Sequence, residues 1–399
     1  MLIDYYILLI YNMFMHISHL PQSKYLDSNK LAAIFSNTTN SYKFFWFGEI
    51  IKRAIQGVEV DSIRHIVEDM LISAYYMVNE CKLKLGFNDK LEETVKYIYD
   101  KYRIQTNLFY KQLKIEFNNQ SVYDDIIVAG SIDLLKNYVP FCLLSPFVGR
   151  TKIEKRFSRS NINLFNETYE NQKKNDGITI PYRFGIISGI DTEIMLDNNF
   201  IDYVENNYGI LNDFAKYNLV EYLQKKNPSV PGIINKLEPA VARDLKKVID
   251  FYKDVVTYDN SKIYDIYTGK ELKDIVKDKE LSIDHFIPWS YVAHDEIWNL
   301  TPTIKSINSS KGNQLPNWNK YFGKLINQKI VLHKVIWQNE NVHNSFNKIQ
   351  DIYLNIDEIK NAYNNPNISM YEFKNCMYNY MKPIYEVAER SGFAAGWSV

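Results

Sequence analysis

Apolar residues along most of the chain recur at the three- and four-residue spacing of amphipathic helices. In residues 21–140 this pattern predicts a series of helices: the first ends at Gly57, and others lie at 89–102 and 121–138. The helix after Gly57 has a predicted buried stripe formed by Ile63, Ile66, Met70, Ala74 and Met77. The pattern therefore predicts a mainly α-helical protein.

The second half of the chain continues the helical pattern on both sides of one different stretch. Helices are predicted at residues 200–225, 237–256, 318–337, 344–363 and 370–391. Pro239 suits the first turn of the second of these helices. Pro383 is expected to break or kink the last one, because proline lacks the amide hydrogen of the helical ladder.

Residues 151–202 change character and are the predicted domain boundary. The polar segment 161–177 is expected to be a loop, and 178–190 (ITIPYRFGIISGI) is typical of strands. Pro181 argues against a central strand, because proline cannot donate to the ladder. A basic cluster comprises Lys152, Lys155, Arg156 and Arg159. We interpret it as a solvated face, with a DNA-backbone contact as the alternative.

Residues 281–316 concentrate the side chains that can bind a cation, move a proton or contact a phosphate. These side chains are, in chain order, Asp284, His285, Asn299, Asn308 and Lys311. The first two end a short β-like run, LSIDHFI, and a turn signal, Thr268-Gly269-Lys270, lies upstream. This density of polar chemistry makes the stretch the candidate functional site.

Hydrolysis of a phosphodiester requires a nucleophilic water and relief of charge on the transition state. Hard divalent cations prefer oxygen ligands, so the Asp284 carboxylate and the Asn308 amide suit Mg²⁺ or Mn²⁺. An imidazole is the natural general base at neutral pH, which indicates His285. Neighbours on a regular strand point to opposite faces, and a bulge or bend would bring Asp284 and His285 to one phosphate.

The ordered motifs YTGK, IDHxxP, NL and NxxKGNxLP resemble the core of the HNH endonucleases, a ββα-metal fold, over residues 258–321. The resemblance implies that His285 is the general base and that Asn299 orients the loop and His285. It also implies that Asp284 and Asn308 hold the metal. Candidate substrate contacts are Lys305, Lys311, Lys320 and Lys324. An ordinary solvated face is the alternative interpretation of Lys320 and Lys324.

The sequence departs from many HNH proteins in two respects. Asp265 and Thr268 occupy positions where such proteins carry a Cys pair that holds zinc, and no cysteine lies between Cys142 and Cys376. No structural zinc is therefore expected. His294, in the loop between His285 and Asn299, is interpreted as a solvated histidine, with assistance at the phosphate as the alternative.

Composition adds little about substrate. The formal net charge is 0, so nucleic-acid binding would depend on local basic surface. Three scattered cysteines form no disulfide pattern and favour a reducing cytoplasm. Residues 1–17 are apolar but short for a membrane span, and they are interpreted as a buried helix or an upstream extension. Membrane association is not expected.

We therefore predict a mainly α protein with a small inserted ββα-metal module. Its strands are expected near 263–267, 282–287 and 298–303, with a helix starting within 304–308. The predicted domains are 1–150, 151–256 (linker and helical support), 257–321 (nuclease core) and 322–399.

The predicted activity is metal-dependent cleavage of DNA. An RNA-directed nuclease and a non-catalytic helical scaffold that retains the HNH core remain open. The flanking helices are expected to recognise substrate or an activating protein partner, and stand-alone relatives suggest phage defence or restriction.

Overall fold

The computed structural model describes residues 20–148, 157–240, 244–258 and 262–399. The predictions for residues 1–17 and for Lys152, Lys155 and Arg156 lie outside these ranges. Within the described ranges the chain is mainly α-helical, and a small β-hairpin with a short helix is inserted late in the sequence. The predicted fold class is confirmed.

The chain divides into two compact units. Unit 1 comprises Met1–Asn79, Leu83–Pro228 and Leu237–Pro239. Unit 2 comprises Glu80–Lys82, Ser229–Lys236 and Ala240–Val399. The division into four domains made from the sequence stays a prediction.

Unit 1 consists of ten helices, by the described residues, and a three-stranded antiparallel sheet of order β1-β3-β2. The helices are α1 (Ser28–Ala32), α2 (Tyr42–Ile55), α3 (Ile63–Asn79), α4 (Lys90–Tyr102), α5 (Tyr110–Asn119), α6 (Ile126–Leu135), α7 (Val139–Leu143), α8 (Ser145–Val148), α9 (Arg159–Asp176) and α10 (Asn198–Lys226). The strands are β1 (Val60–Ser62), β2 (Tyr182–Phe184) and β3 (Glu193–Leu196). Short 3₁₀ turns lie at Ala33–Phe35, Val122–Asp124 and Gly189–Asp191.

The core of unit 1 follows the predicted apolar stripes. All five stripe residues of α3 are buried. Gly57 has φ +69° and closely follows α2, and glycine adopts this conformation without strain. The strand β2 lies at the edge of its sheet, as Pro181 indicated. Thus burial patterns and turn residues placed these elements correctly.

Two sequence predictions in unit 1 were wrong. Residues 161–177 form most of the helix α9 rather than a loop, because Ile162, Phe165 and Tyr169 make a buried stripe beneath a polar outer face. The helix predicted at 121–138 begins only at Ile126, because the Asp125 side chain accepts hydrogen bonds from Ile127 N and Val128 N. Side-chain capping fixes where that helix starts.

One stretch in the described part of unit 1, Ile126–Leu143, has the length and apolar composition of a membrane span. Its Val128, Ile132 and Leu135 are buried within the unit. A core helix of a soluble protein passes the same test of length and composition. The expectation that the protein does not associate with membranes stays a prediction.

Unit 2 contains eight helices, within the described ranges, and one two-stranded antiparallel sheet. The helices are α11 (Lys246–Tyr258), α12 (Leu272–Lys277), α13 (Trp289–Val292), α14 (Lys305–Lys311), α15 (Trp318–Gln338), α16 (Glu340–Tyr353), α17 (Asp357–Asn364) and α18 (Met370–Arg390). The strands are β4 (Leu281–His285) and β5 (Leu300–Ile304), and a 3₁₀ turn lies at Ile233–Lys236.

Two helix predictions in unit 2 were wrong, one in its start and the other in its continuity. The helix predicted from residue 237 begins at Lys246, and Asp244 Oδ1 accepts a bond from Lys246 N at 2.9 Å in the turn before it. Residues 344–363 form two helices rather than one, because Asn355 N donates to the Glu296 carboxylate at 3.1 Å and leaves the helical ladder.

The last helix of unit 2 is not broken at its proline. Pro383 lies inside α18, which continues from Met370 to Arg390. Met381 and Tyr385, on either side of the proline, are buried. Their packing holds the helix together although proline removes one bond of the ladder.

The predicted strand at 263–267 was also wrong. Only an isolated bridge between Tyr264 and Glu271 forms there. The Asp265 side chain accepts bonds from Tyr267 N at 3.0 Å and from Thr268 Oγ1 at 2.6 Å, which folds the segment into a tight turn. The hairpin therefore has two strands, paired from Leu281↔Ile304 to His285↔Leu300.

Helix α15 supports the hairpin from behind. Gln328 Oε1 accepts a bond from Thr301 Oγ1 at 2.9 Å, and Gln328 Nε2 donates to Tyr264 O at 2.8 Å. The fully buried Lys329 donates to Leu300 O and, at 3.2 Å, to Tyr252 Oη. Gln328 and Lys329 therefore fix β5 and the turn at Tyr264 to the helical part of unit 2.

Lys329 predicts a pH dependence of stability. Burial lowers its pKa to about 7, whereas the pKa of an unfolded lysine is about 10.4. Between these values the unfolded chain binds the extra proton, so stability rises with pH. From pH 7 to pH 9, the native protein is expected to gain about 2 kcal/mol in unfolding free energy relative to Lys329→Met. Urea titrations of both proteins at pH 7 and pH 9 measure this gain. The prediction is refuted if the unfolding free energy changes equally with pH in the native protein and in Lys329→Met.

Candidate active site

Helix α14 packs its inner face on strand β4. Asn308 Nδ2 donates to Ser282 Oγ at 2.8 Å and to Ile283 O at 3.1 Å. One turn later, Lys311 Nζ donates to His285 O at 2.7 Å. These bonds place both side chains on the face of α14 that packs on β4, as the spacing of Asn308 and Lys311 predicted. The sequence analysis expected Lys311 to contact a phosphate, whereas here its ammonium group is bonded to the strand.

The Asp284 carboxylate is held on both sides. Lys311 Nζ donates to Oδ1 at 3.0 Å, and Tyr267 Oη donates to Oδ2 at 2.5 Å. Asp284 is 3 % exposed and Lys311 is 1 % exposed. Burial, together with the negative charge of Asp284, raises the pKa of Tyr267 well above its usual value. The tyrosine therefore stays protonated and donates to the carboxylate.

His285 pairs with an acid on the loop after α13. Its Nε2 lies 2.7 Å from Asp295 Oδ1, and the two side chains are 6 % and 25 % exposed. Strand β4 is paired residue for residue through His285, so no bulge occurs within the strand. Asp284 and His285 therefore leave the strand on opposite faces, and the chain bends only at Phe286, after both of them. The bulge or bend that was expected to bring the two side chains to one phosphate does not occur between them.

Asn299 ties down that bend. Phe286 N donates to Asn299 O at 2.8 Å, Ile287 N donates to Asn299 Oδ1 at 2.7 Å, and Asn299 Nδ2 returns a bond to Ile287 O at 2.8 Å. Asn299 is fully buried. This one asparagine therefore fixes the two residues after His285, and its role in orienting His285 stays a prediction.

Sequence reasoning missed two partners of the site, Asp295 and Tyr267. Asp295 follows His285 by ten positions, and only the turn of α13 between them brings the two together, so no local spacing signals the pair. His294, which the sequence analysis considered instead, is half-buried against Trp298, with ring centroids 5.8 Å apart. Burial lowers its pKa, so it is not the solvated loop histidine that was expected.

The candidate substrate lysines occupy different environments. Lys305 is exposed and donates to Lys279 O at 3.0 Å, whereas Lys311 is buried as described above. Lys320 and Lys324 are exposed on α15, with their ammonium groups 5.1 and 5.4 Å from the ring centre of Tyr321. Their contact with a substrate stays a prediction.

The donors at the site fit a hard divalent cation whose shell is completed by water. Each Asp284 oxygen accepts one hydrogen bond and keeps a further lone pair. Asn308 uses its amide nitrogen for the strand, so its Oδ1 is the atom that could face a cation. In the described ranges no group of three or more His, Cys, Asp or Glu side chains is arranged around a common metal position. The absence of a structural zinc site stays a prediction.

One comparison with known proteins covers the segment that contains these residues. Residues 265–317 match the family model described as HNH endonuclease, and this segment contains both strands, α14, and the Asp284-His285 pair. No curated protein and no solved structure matches the chain. HNH domains indicate nuclease activity and nucleic-acid binding, and they generally use divalent metal ions. The segment from the turn at Asp265 to just beyond α14 is the HNH domain, and the chain is therefore an HNH domain-containing protein.

Proposed function

We propose that the protein is a metal-dependent HNH endonuclease that hydrolyses phosphodiester bonds in DNA. The observation that carries the proposal is the arrangement at the end of β4. There the imidazole of His285 is paired with Asp295 on one face of the strand. Asp284 is bonded to Lys311 on the other face, and Asn308 is bonded to Ser282 and Ile283 of the same strand. This arrangement combines a positioned base with oxygen donors for a cation.

In the proposed reaction, His285 accepts a proton from the attacking water, and Asp295 holds the imidazole in the required orientation. Asn299 fixes the backbone after His285 and so limits the movement of the base. Asp284 and Asn308 would hold a Mg²⁺ or Mn²⁺ ion, which relieves negative charge on the phosphoryl oxygens and the leaving oxygen. Product ends are expected to be 3′-hydroxyl and 5′-phosphate.

The wider setting is also proposed. The helical part of the chain is much larger than the matched domain, and we assign it to recognition of substrate or of an activating protein partner. A role in phage defence or restriction, and a cytoplasmic location, would suit such a protein. Both rest on analogy with the family.

Matched substrates test the choice of DNA. The protein with Mg²⁺ is incubated with double-stranded DNA, single-stranded DNA and RNA of one sequence, and the product ends are analysed. Faster cleavage of either DNA with 5′-phosphate ends supports the proposal. Cleavage of RNA alone favours the RNA-directed alternative. Binding without cleavage of any substrate in Mg²⁺ or Mn²⁺ favours the scaffold.

Asp295 gives a first prediction for the base. Asp295→Asn removes the negative charge beside His285 and allows the ring to reorient, so cleavage is expected to fall about a hundredfold. Asp351→Asn is the matched control, because Asp351 is an exposed acid of the same unit, paired only loosely with Lys360 at 3.3 Å. Single-turnover rates measure both variants, and an unchanged rate for Asp295→Asn would remove Asp295 from the site.

A further inference from the structure

Residues 393–399, here called the docked segment, lie outside the matched HNH domain but are bonded to it. Leu315 N donates to Ala394 O at 2.8 Å, Trp397 N donates to Leu315 O at 3.0 Å, and Asn317 N donates to Trp397 O at 2.8 Å. Trp397 thereby forms a parallel bridge with Pro316. The backbone of the docked segment is therefore fixed to the residues that follow α14.

The ring of Trp397 packs with Tyr267 and Tyr321 in an aromatic cluster next to Asp284. It meets Tyr267 edge to face, with ring centroids 5.1 Å apart at 88°, and it lies 6.2 Å from Tyr321. Tyr267 and Tyr321 are themselves 5.1 Å apart at 75°. Both tyrosines are buried, whereas Trp397 is half-buried, so the tryptophan covers the cluster from the outside.

This cluster ends at the proposed metal ligand. Tyr267 Oη donates to Asp284 Oδ2 at 2.5 Å, so only one side chain separates Trp397 from the carboxylate. Without the indole, the Tyr267 ring would lose its edge contact and gain freedom to turn, and water could reach its hydroxyl group. Residues that orient a metal ligand in this way commonly affect metal affinity strongly.

We propose that Trp397 is a positioning residue of the HNH site that orients Asp284 through Tyr267, so that the docked segment is a working part of the nuclease module. The inference rests on the proposed function in one respect, namely that Asp284 binds the cation. With Trp397 included, the functional module extends about eighty residues beyond the matched segment. The bridge between Pro316 and Trp397 brings these distant parts of the chain into contact.

Mn²⁺ affinity, measured by electron paramagnetic resonance on the full chain, tests the proposal. Tyr267→Phe is expected to weaken Mn²⁺ binding by about tenfold or more, and Trp397→Ala by about five- to tenfold. Trp397→Phe should stay within about twofold of the native protein, because an edge contact remains. The double variant Trp397→Ala/Tyr267→Phe should bind no more weakly than Tyr267→Phe alone.

Trp337→Ala is the matched control. Trp337 is a tryptophan of the same unit whose Nε1 donates to Tyr363 O at 3.0 Å, away from the aromatic cluster. Its replacement should leave Mn²⁺ affinity unchanged. Native affinity in Trp397→Ala, or losses that simply add in the double variant, would overturn the proposal.

A second readout separates this proposal from the proposed function. If the native protein binds no Mn²⁺, the metal assignment fails, and thermal unfolding then decides the positioning role. Trp397→Ala and Asp284→Asn should lower the midpoint by less in combination than the sum of their separate effects, since both act on Tyr267. Additive shifts would overturn the link between Trp397 and Asp284.

Discussion

Replacing His285 with alanine is expected to lower the rate of phosphodiester cleavage by about three orders of magnitude. The imidazole is the side chain at the end of β4 that pairs with an acid, and its removal takes away the proton acceptor for the attacking water. The substitution leaves the backbone bonds of Phe286 and Ile287 to Asn299 in place. The fold should therefore persist, and the loss should appear in the rate.

Single-turnover kinetics with protein in excess over DNA measure this effect. The matched control is His294→Ala, which removes the nearby histidine that packs on Trp298. The control should cleave at close to the native rate. A His285→Ala protein that keeps more than about a tenth of the native rate would exclude His285 as the general base.

Replacing Lys311 with methionine is expected to lower the unfolding free energy of unit 2 by about 3–5 kcal/mol. The lysine is the last residue of α14 and pairs with the buried Asp284 at 3.0 Å. Methionine has a similar length but leaves the buried carboxylate without its ammonium partner. It also removes the donor to His285 O, which is 2.7 Å from the ammonium group.

Urea unfolding followed by tryptophan fluorescence measures this loss, because Trp46 alone lies in unit 1 and the other tryptophans lie in unit 2. The double variant Lys311→Met/Asp284→Asn removes both charges and should recover much of the stability. Lys320→Met, at an exposed position on α15, should cost less than about 1 kcal/mol. A loss below about 1 kcal/mol for Lys311→Met would contradict the buried ion pair.

The sequence predicted helices well where apolar periodicity was strong and capping residues were clear. The predictions failed where the apolar stripe was narrow or where side-chain hydrogen bonds changed the path of the chain. The polar surface of α9 hid a narrow stripe headed by Ile162, and Asp265 turned a strand-like run into a tight turn. The break between α16 and α17 depends on Glu296, which is distant in the chain. Local patterns cannot report such distant contacts.

The residues of the candidate site also fall into those that local motifs predict and those that depend on distant contacts. The motif order predicted Asp284, His285, Asn299 and Asn308 as site residues, and the fold places all four on β4, beside it or at its following bend. The motif could not identify the partners that hold these residues. Asp295, Tyr267 and Trp397 reach the site through a helical turn, a tight turn and a docked segment. Positioning residues carry little signal in a single sequence, because their role depends on the folded path of the chain.

The most direct test of the account is conversion of supercoiled plasmid to nicked or linear DNA by the full chain in Mg²⁺ or Mn²⁺. The native protein, Asp284→Asn and the native protein with EDTA are compared at one protein concentration. The native protein with metal should cleave the plasmid, and the other two samples should not. Cleavage that persists in EDTA or in Asp284→Asn would contradict a metal-dependent HNH nuclease centred on the end of β4.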